Sequence, residues 1–397
     1  MQRFTGGAST MRRTGSMISP FRTFLDLVFV GLALWLQWML LRWIIEGAAR
    51  SWAPGVRGML RGAFWVSCVW LTGSAAYGIA LASSQFPALV WLDWIRGASI
   101  AWAICTSGLF AIVWLWKRGP AFDPGRRRLL AGAALATPAA ITGAGVFIER
   151  RDFQVVEQTI EVPGLAPGLD GLRIAHISDI HLGPFLEERD LRRVVEMANE
   201  TRPHLAAVTG DLITARPDRL SDCIRVLKGL RSDAGVAGCL GNHESVARCE
   251  ARVKDEGARA GLEFLRGESL RFRFGDAALN VAGVDFQRRS EPYLAGAERL
   301  WRDGDFNLLL SHQPDVFPVA AAQGWDLTLA GHTHGGQITP GFLTQYANVA
   351  RLFTPFVYGS YRMAGSALYV TRGIGTVTVP ARIGAPPEIA LIRLCAT

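Results

Sequence analysis

The sequence predicts an α/β sandwich flanked by helices and preceded by four membrane-spanning helices. Three observations predict it. Nearly all the tryptophans and the long uncharged runs fall in the first 150 residues. Beyond them, short apolar runs alternate with amphipathic segments under mixed charge and Gly/Pro punctuation. Almost every one of those short runs ends in a side chain that can ligate a metal. At 397 residues the chain has room for two domains, and the shift in composition divides it into a membrane domain, 1–150, and a globular α/β domain, 151–397.

A bilayer span takes about 20 apolar residues. Three uncharged stretches have that length, 62–82, 98–116 and 129–148, and a fourth, 24–45, carries Asp26 and Arg42 near its ends, where they can reach the interface. Arginine and lysine set the orientation. The predicted loop 46–61 holds Arg50, Arg57 and Arg61, and the loop 117–128 holds Lys117, Arg118, Arg126, Arg127 and Arg128, so both read as cytoplasmic. The loop 83–97, with only Asp93 and Arg96, reads as external. Four spans then put the N-terminus and the second domain on the outer face of a bacterial inner membrane. Arg3, Arg12, Arg13 and Arg22 oppose this, although a start at Met17 would remove three of those four. Residues 125–140, "GRRRLLAGAALATPAA", also resemble a twin-arginine export signal, and an ordinary positive-inside anchor is the simpler reading.

The net charge of +8 comes largely from the arginines that flank these runs. No basic stripe with interleaved aromatics follows, so nucleic acid is not expected as a partner. Six cysteines form no C-x-x-C pair, which indicates neither a zinc ribbon nor a redox site, and their spacing decides neither for nor against a disulfide.

In the second domain, strands are predicted at 172–178, 205–210, 235–241, 278–284, 306–312 and 326–332, with 153–162 entering as an edge strand and 388–394 closing the sheet. Alternate residues at a strand end point the same way, so Asp179 and His181 in "SDIH" can share one ligand. The series continues with Asp211 in "TGDL", Asn242 and His243 in "GNHE", His312 in "LLSH", and His332 and His334 in "GHTH". Five of the seven histidines lie in these motifs, leaving His176 and His204 as structural. Ligands from separate strands converge only where strand ends meet on one edge of a sheet. Gly210, Gly241 and Gly331 precede the polar residues, where a missing side chain permits close backbone approach.

The ordered set D-x-H, GD, GNHE, H and GHTH resembles the calcineurin-like metallophosphoesterase superfamily over roughly residues 153–397, and the leader resembles in character the membrane-anchored bacterial branch. The resemblance implies a four-layer αββα sandwich and two divalent ions. It assigns Asp179, His181 and His334 to one metal, Asn242, His312 and His332 to the other, and Asp211 as the bridge. Oxygen and imidazole ligands without thiolate suit Mn, Fe or Zn. Such a pair of metals activates a shared water for in-line attack on phosphorus. The resemblance makes His243 the non-ligand histidine beside the leaving oxygen, able to protonate it. The catalytic expectation therefore rests on His243 and Asp211.

Protein phosphatases of the superfamily carry Asp-Arg-Gly after the GD motif, and "GDLITARPDR" lacks it at the right spacing. The aromatic and aliphatic stretch 338–365 reads either as an apolar lip for a bilayer or acyl chain or as an insertion packed on its own domain. Of Arg351, Arg362 and Arg372, the last, in "TRGIG", is the candidate substrate-phosphate ligand. The expected activity is hydrolysis of a lipid-linked or envelope phosphoester or diphosphate, with membrane lipid as a neighbour. One alternative is a pyrophosphatase acting on a nucleotide-linked acylated sugar of lipid A synthesis at the cytoplasmic face. The other is a non-catalytic metal-binding scaffold or sensor.

Overall fold

The computed structural model describes residues 20–48, 53–82, 90–116, 137, 140–214, 219–287, 293–339 and 348–397. These fall in two compact units, Met1–Thr142 and Gly143–Thr397.

In the first unit, helices α1 (Pro20–Trp43, continued by a π turn Ile44–Ala48), α2 (Pro54–Ala82) and α3 (Val90–Trp116) pack together. Helices α2 and α3 begin earlier than hydropathy alone predicts. Proline at the first turn of α2 has no N–H to leave unsatisfied, so Pro54 starts the helix, and Arg57 and Arg61 ride on it rather than in a loop. Asp93 and Arg96 likewise belong to α3. Two stretches, Leu27–Glu46 and Pro54–Ala80, are long and apolar enough to cross a membrane. Half of the predicted fourth span, residues 129–136 and 138–139, and the loop 117–128 lie outside the described residues.

The second unit opens with helical residues 140–147 (α4), of which 143 onward belong to it. Then come β1 (Gln154–Val162), β2 (Arg173–Ile177), α5 (Glu188–Glu200), β3 (Leu205–Thr209), α6 (Leu220–Leu227), β4 (Val236–Cys239), α7 (Asn242–Ala247), α8 (Glu250–Ala260), β5 (Leu262–Phe264), β6 (Glu268–Phe274), β7 (Ala277–Gly283), β8 (Phe306–Leu310), α9 (Phe317–Ala322), β9 (Leu327–Ala330), β10 (Gly359–Met363), β11 (Ser366–Val370) and β12 (Glu388–Ala396). They form two mixed sheets of six strands, in the order β1-β12-β2-β3-β4-β5 and β10-β11-β9-β8-β7-β6. The predicted edge strand is indeed at an edge, and β12 lies beside it in parallel, then antiparallel to β2.

Period-two alternation makes the layers. Ile174, Ala207, Val281, Leu308, Leu329 and Ile392 share the core between the sheets, whereas their neighbours Ala175, Ile177, Ala206 and Val208 pack with Leu191, Val194 and Ile224 of the helices. On the other sheet Ala282 and Leu309 meet Ala320 and Trp325. The stretch 338–365 is not wholly a loop. Gly359–Met363 is edge strand β10, and Phe356 and Val357 are buried. Leu352 and Phe353 remain exposed at the tip of a turn, and residues 340–347 lie outside the described residues.

Candidate metal centre

Five strand ends build the site. β2 delivers Asp179 and His181, β3 delivers Asp211, β4 leads into Asn242 and His243 at the start of α7, β8 delivers His312, and β9 delivers His332 and His334. All leave the carboxyl ends of strands in one sheet or the other, so the edge where the two sheets converge collects all eight residues of the strand-end motifs.

The ligand-capable atoms form three overlapping triads, of which His181, Asp211 and His243 link the two outer ones. In one outer triad, His181 Nε2 and His334 Nε2 stand 3.1 Å apart, with Asp179 Oδ1 at 3.3 Å from His334. In the other, His312 Nε2 and His332 Nδ1 are 3.1 Å apart, and Asp211 Oδ2 is 3.2 Å from His312. The same Asp211 oxygen is 3.5 Å from His181, so it faces both triads. Within each triad the candidate atoms lie within 4.8 Å of one another. Asn242 Oδ1 is buried with no hydrogen-bond partner.

The backbone is strained where the candidate ligands sit. Asp179, His181, Asp211, His332 and His334 all have φ between 49 and 73. Left-handed backbone at a non-glycine residue costs about 1–3 kcal/mol and persists only where the surroundings over-determine it, typically at functional sites. Neighbouring glycines allow the crowding. A side chain at Gly241 would come within 2.1 Å of Asp211 Oδ1, and one at Gly331 within 2.1 Å of Asp179 Oδ2.

The donor set suits divalent cations. Burial holds His181 low and His334 down to about 4, so both rings are neutral and carry lone pairs at pH 7. Burial would lower His312 too, but Asp211 beside it raises it to about 10. Burial pushes Asp211 up, yet His312, His181 and His243 hold its carboxyl well below the usual range. His312 Nδ1 lies 2.7 Å from the Thr209 carbonyl, which orients the ring so that Nε2 faces the site. Two imidazole nitrogens at hydrogen-bond distance, found twice beside a carboxylate, together with an orphaned buried amide oxygen, are what bound cations would satisfy.

His243 stands beside the two outer triads. Its Nδ1 bonds the Thr214 carbonyl, its N–H donates to Asp211 Oδ1 at 2.9 Å, and its Nε2 is 3.9 Å from Asp211 Oδ2. Its ring packs edge-on to His181, with centroids 4.7 Å apart. Arg372 lays its side-chain stem over Gly335, next to His334, and its Nε donates to Glu388 Oε2 at 2.6 Å. Arg362 instead donates to the Glu161 carbonyl at the sheet edge. His176 and His204 have structural partners, Thr209 Oγ1 and the Arg173 N–H. All six cysteines are free.

Sequence reasoning missed Glu244. Fully buried, its carboxylate accepts N–H bonds from Gly241 and Asp211 at Oε2, 2.8 and 2.9 Å, and from Leu212 at Oε1, 2.8 Å. It thereby stitches the β3 and β4 ends together. Its position three residues after Gly241 is the capping-box spacing, which was the available signal. Arg382, fully buried behind the site, offered no local signal at all.

A family model for calcineurin-like phosphoesterases matches residues 172–336, the span that holds all eight strand-end residues. The metallophosphoesterase YkuE of Bacillus subtilis is 30% identical over 287 residues, 68% of this chain and 98% of that protein. A Danio rerio transmembrane protein with a metallophosphoesterase domain is 30% identical over 289 residues, 66% of this chain, which spans 62% of that protein. Among solved structures, the sulfate thiohydrolase SoxB of Thermus thermophilus matches with a TM-score of 0.35 at 15% identity, over 58% of each chain.

Proposed function

The chain belongs to the calcineurin-like phosphoesterases and is a metal-dependent phosphoester hydrolase, and from that premise we propose that it is a membrane-anchored, dinuclear phosphodiesterase or diphosphate hydrolase acting on a membrane-associated substrate at the outer face. The observation that carries this is the meeting of two His/carboxylate triads on one oxygen of Asp211. Asp179, His181 and His334 would hold one ion, Asn242, His312 and His332 the other, and Asp211 both. Bound there, Mn, Fe or Zn ions would supply Lewis-acid polarisation of the phosphoryl group and lower the pKa of an attacking water.

The protein's own groups do the rest. His243 donates its Nδ1–H to the Thr214 carbonyl, which turns Nε2 toward the site. As the imidazolium, with both nitrogens protonated, it would hand the Nε2 proton to the departing oxygen and be left neutral with Nδ1 still bonded to the carbonyl. Asn242 offers a neutral oxygen, so the cluster keeps two carboxylates, Asp179 and Asp211, and a surplus of positive charge for a phosphate once cations bind. Arg372, with Nε committed to Glu388, aims the guanidinium as a planar donor for a phosphate oxygen.

Two features support a membrane setting. In the first unit one uncharged polar cluster faces inward: Gln37 donates to Thr106 Oγ1 at 2.9 Å and accepts from Ser67 Oγ at 2.7 Å, while Trp102 donates to Ser67 at 2.9 Å. The unit's large apolar residues face outward, among them Trp35, Trp65 and Val69. A helical unit with a polar interior and an apolar exterior is built for lipid. In the second unit, the exposed Leu352 and Phe353 sit on a turn that Asn348 ties to the site by donating to the Gly335 carbonyl at 2.7 Å, which favours a lipid-linked phosphoester.

The test is release of nitrophenol from bis(p-nitrophenyl) phosphate by the full chain in detergent. Turnover should vanish with EDTA and return with Mn²⁺. No metal-dependent turnover, from protein that binds the metal, would favour the scaffold or sensor reading instead.

A further inference from the structure

Arg382 is a fully buried arginine whose guanidinium is satisfied by backbone carbonyls alone. Its Nε donates to Gly375 O at 3.1 Å, Nη1 to Ala385 O at 2.9 Å, and Nη2 to the carbonyls of Arg372, Gly373 and Gly375 at 2.9, 3.0 and 2.6 Å. A buried cation is costly unless its donors are filled. Here every acceptor belongs to the connection between β11 and β12, so the side chain fixes the shape of that connection.

On one side the connection forms the floor beneath two candidate ligands. Ile374 N donates to Ser178 O at 3.0 Å and Gly375 N to Asp179 O at 2.7 Å. A side chain at Gly373 would come within 2.6 Å of Asp179 Cβ, and one at Gly375 within 2.2 Å of Ile180 O and 3.0 Å of His181 Cβ. Asp179 and His181 are both left-handed, at φ 53 and 49, a backbone state that needs such a floor.

On the other side the same connection is held by residues ahead of the first strand. Arg382 N donates to Gly145 O at 3.1 Å, and Ala385 N donates to Glu149 Oε1 at 3.1 Å. A side chain at Gly145 would come within 2.7 Å of Ile383 Cγ1 and 2.8 Å of Arg382 O. Arg150 anchors this segment in turn, donating to Val146 O at 2.6 Å and to the Phe185 carbonyl. Contacts thus run unbroken from 145–149, through 382–385 and 373–375, to 179–181.

We propose that Arg382 is a positioning residue for the Asp179–His181 turn, and that residues 145–149 complete its clamp, so that metal affinity depends on a segment that touches no ligand. This rests on reading Asp179 and His181 as ligands. The experiment is Mn²⁺ titration by calorimetry of EDTA-stripped full chain in detergent, beside its melting temperature. Removing partners that orient ligands typically costs about 10–100-fold in metal affinity. Arg382→Gln should weaken Mn²⁺ binding across that range, Arg382→Lys should restore part of it, and Glu149→Ala should weaken it roughly tenfold. Turnover by Glu149→Ala should recover when Mn²⁺ is raised to saturation. Val253→Ala, a core truncation in α8, should lower the melting temperature and leave Mn²⁺ affinity alone. Unchanged affinity in Glu149→Ala and Arg382→Gln, or an equal loss in Val253→Ala, would overturn the proposal while the ligand assignment stands. A parent protein that binds no Mn²⁺ would overturn the ligand assignment and the proposal with it.

Discussion

At the residue scale, Asp211 and His243 touch each other yet have separable duties. Asp211 Oδ2 faces both triads, while Oδ1 accepts the His243 N–H. Asp211→Asn should therefore lose metal and activity together. His243→Gln removes a proton donor but leaves the main-chain N–H on Asp211 intact, so metal content should hold while kcat falls by about 10²–10⁴, the usual worth of a general acid. Equal turnover in His243→Gln and the parent would remove His243 from the chemistry. All eight strand-end residues were legible because each follows an apolar run and stands beside a polar or glycine neighbour, signals contained within a few positions. Glu244 was half-legible, since its capping-box spacing is local but its bonds to Asp211 and Leu212 cross to another strand. Arg382 was illegible because all its meaning lies in carbonyls that only the fold brings near.

At the element scale, the strands that lead to the candidate ligands were read correctly in place, and those that do not were partly missed. β5, β6 and β11 were absent from the sequence reading, and β10 was hidden in the aromatic stretch 338–365. A three-residue strand such as β5 has no periodicity to detect, and β10 alternates weakly because it is an edge. The consequence for function is at the end of β11 and the start of β12. Tyr369 donates to Glu388 Oε1 at 2.5 Å and Arg372 to Oε2 at 2.6 Å, so one buried carboxylate joins the two strands and aims the arginine. Arg372→Ala should raise KM for a phosphodiester by about tenfold or more while leaving Mn²⁺ affinity unchanged, as expected when a charge-assisted bond to substrate worth about 1.5–3 kcal/mol is lost. A fall in kcat with KM unmoved would place Arg372 outside substrate binding.

At the scale of the whole molecule, the open quantity is the parity of the crossings, because it decides which substrates the site can meet. Positive charge locates the loops: Arg57 and Arg61 ride on the first turns of α2, and Lys117, Arg118 and Arg126–Arg128 follow α3, so both clusters belong on the cytoplasmic side if α1, α2 and α3 each cross. Helix α3 then ends inside, and everything turns on residues 129–148. If they cross, the hydrolase faces outward and meets envelope lipids, wall polymers and imported phosphoesters. If they do not, it faces the cytoplasm, where a nucleotide-linked lipid precursor becomes the natural substrate. An alkaline phosphatase fused after residue 150 should be active and a green fluorescent protein at the C-terminus should be dark. The reverse pattern would mean that 129–148 lies on the inner face, and would redirect the substrate search from lipids of the outer leaflet to diphosphates made beside the inner one.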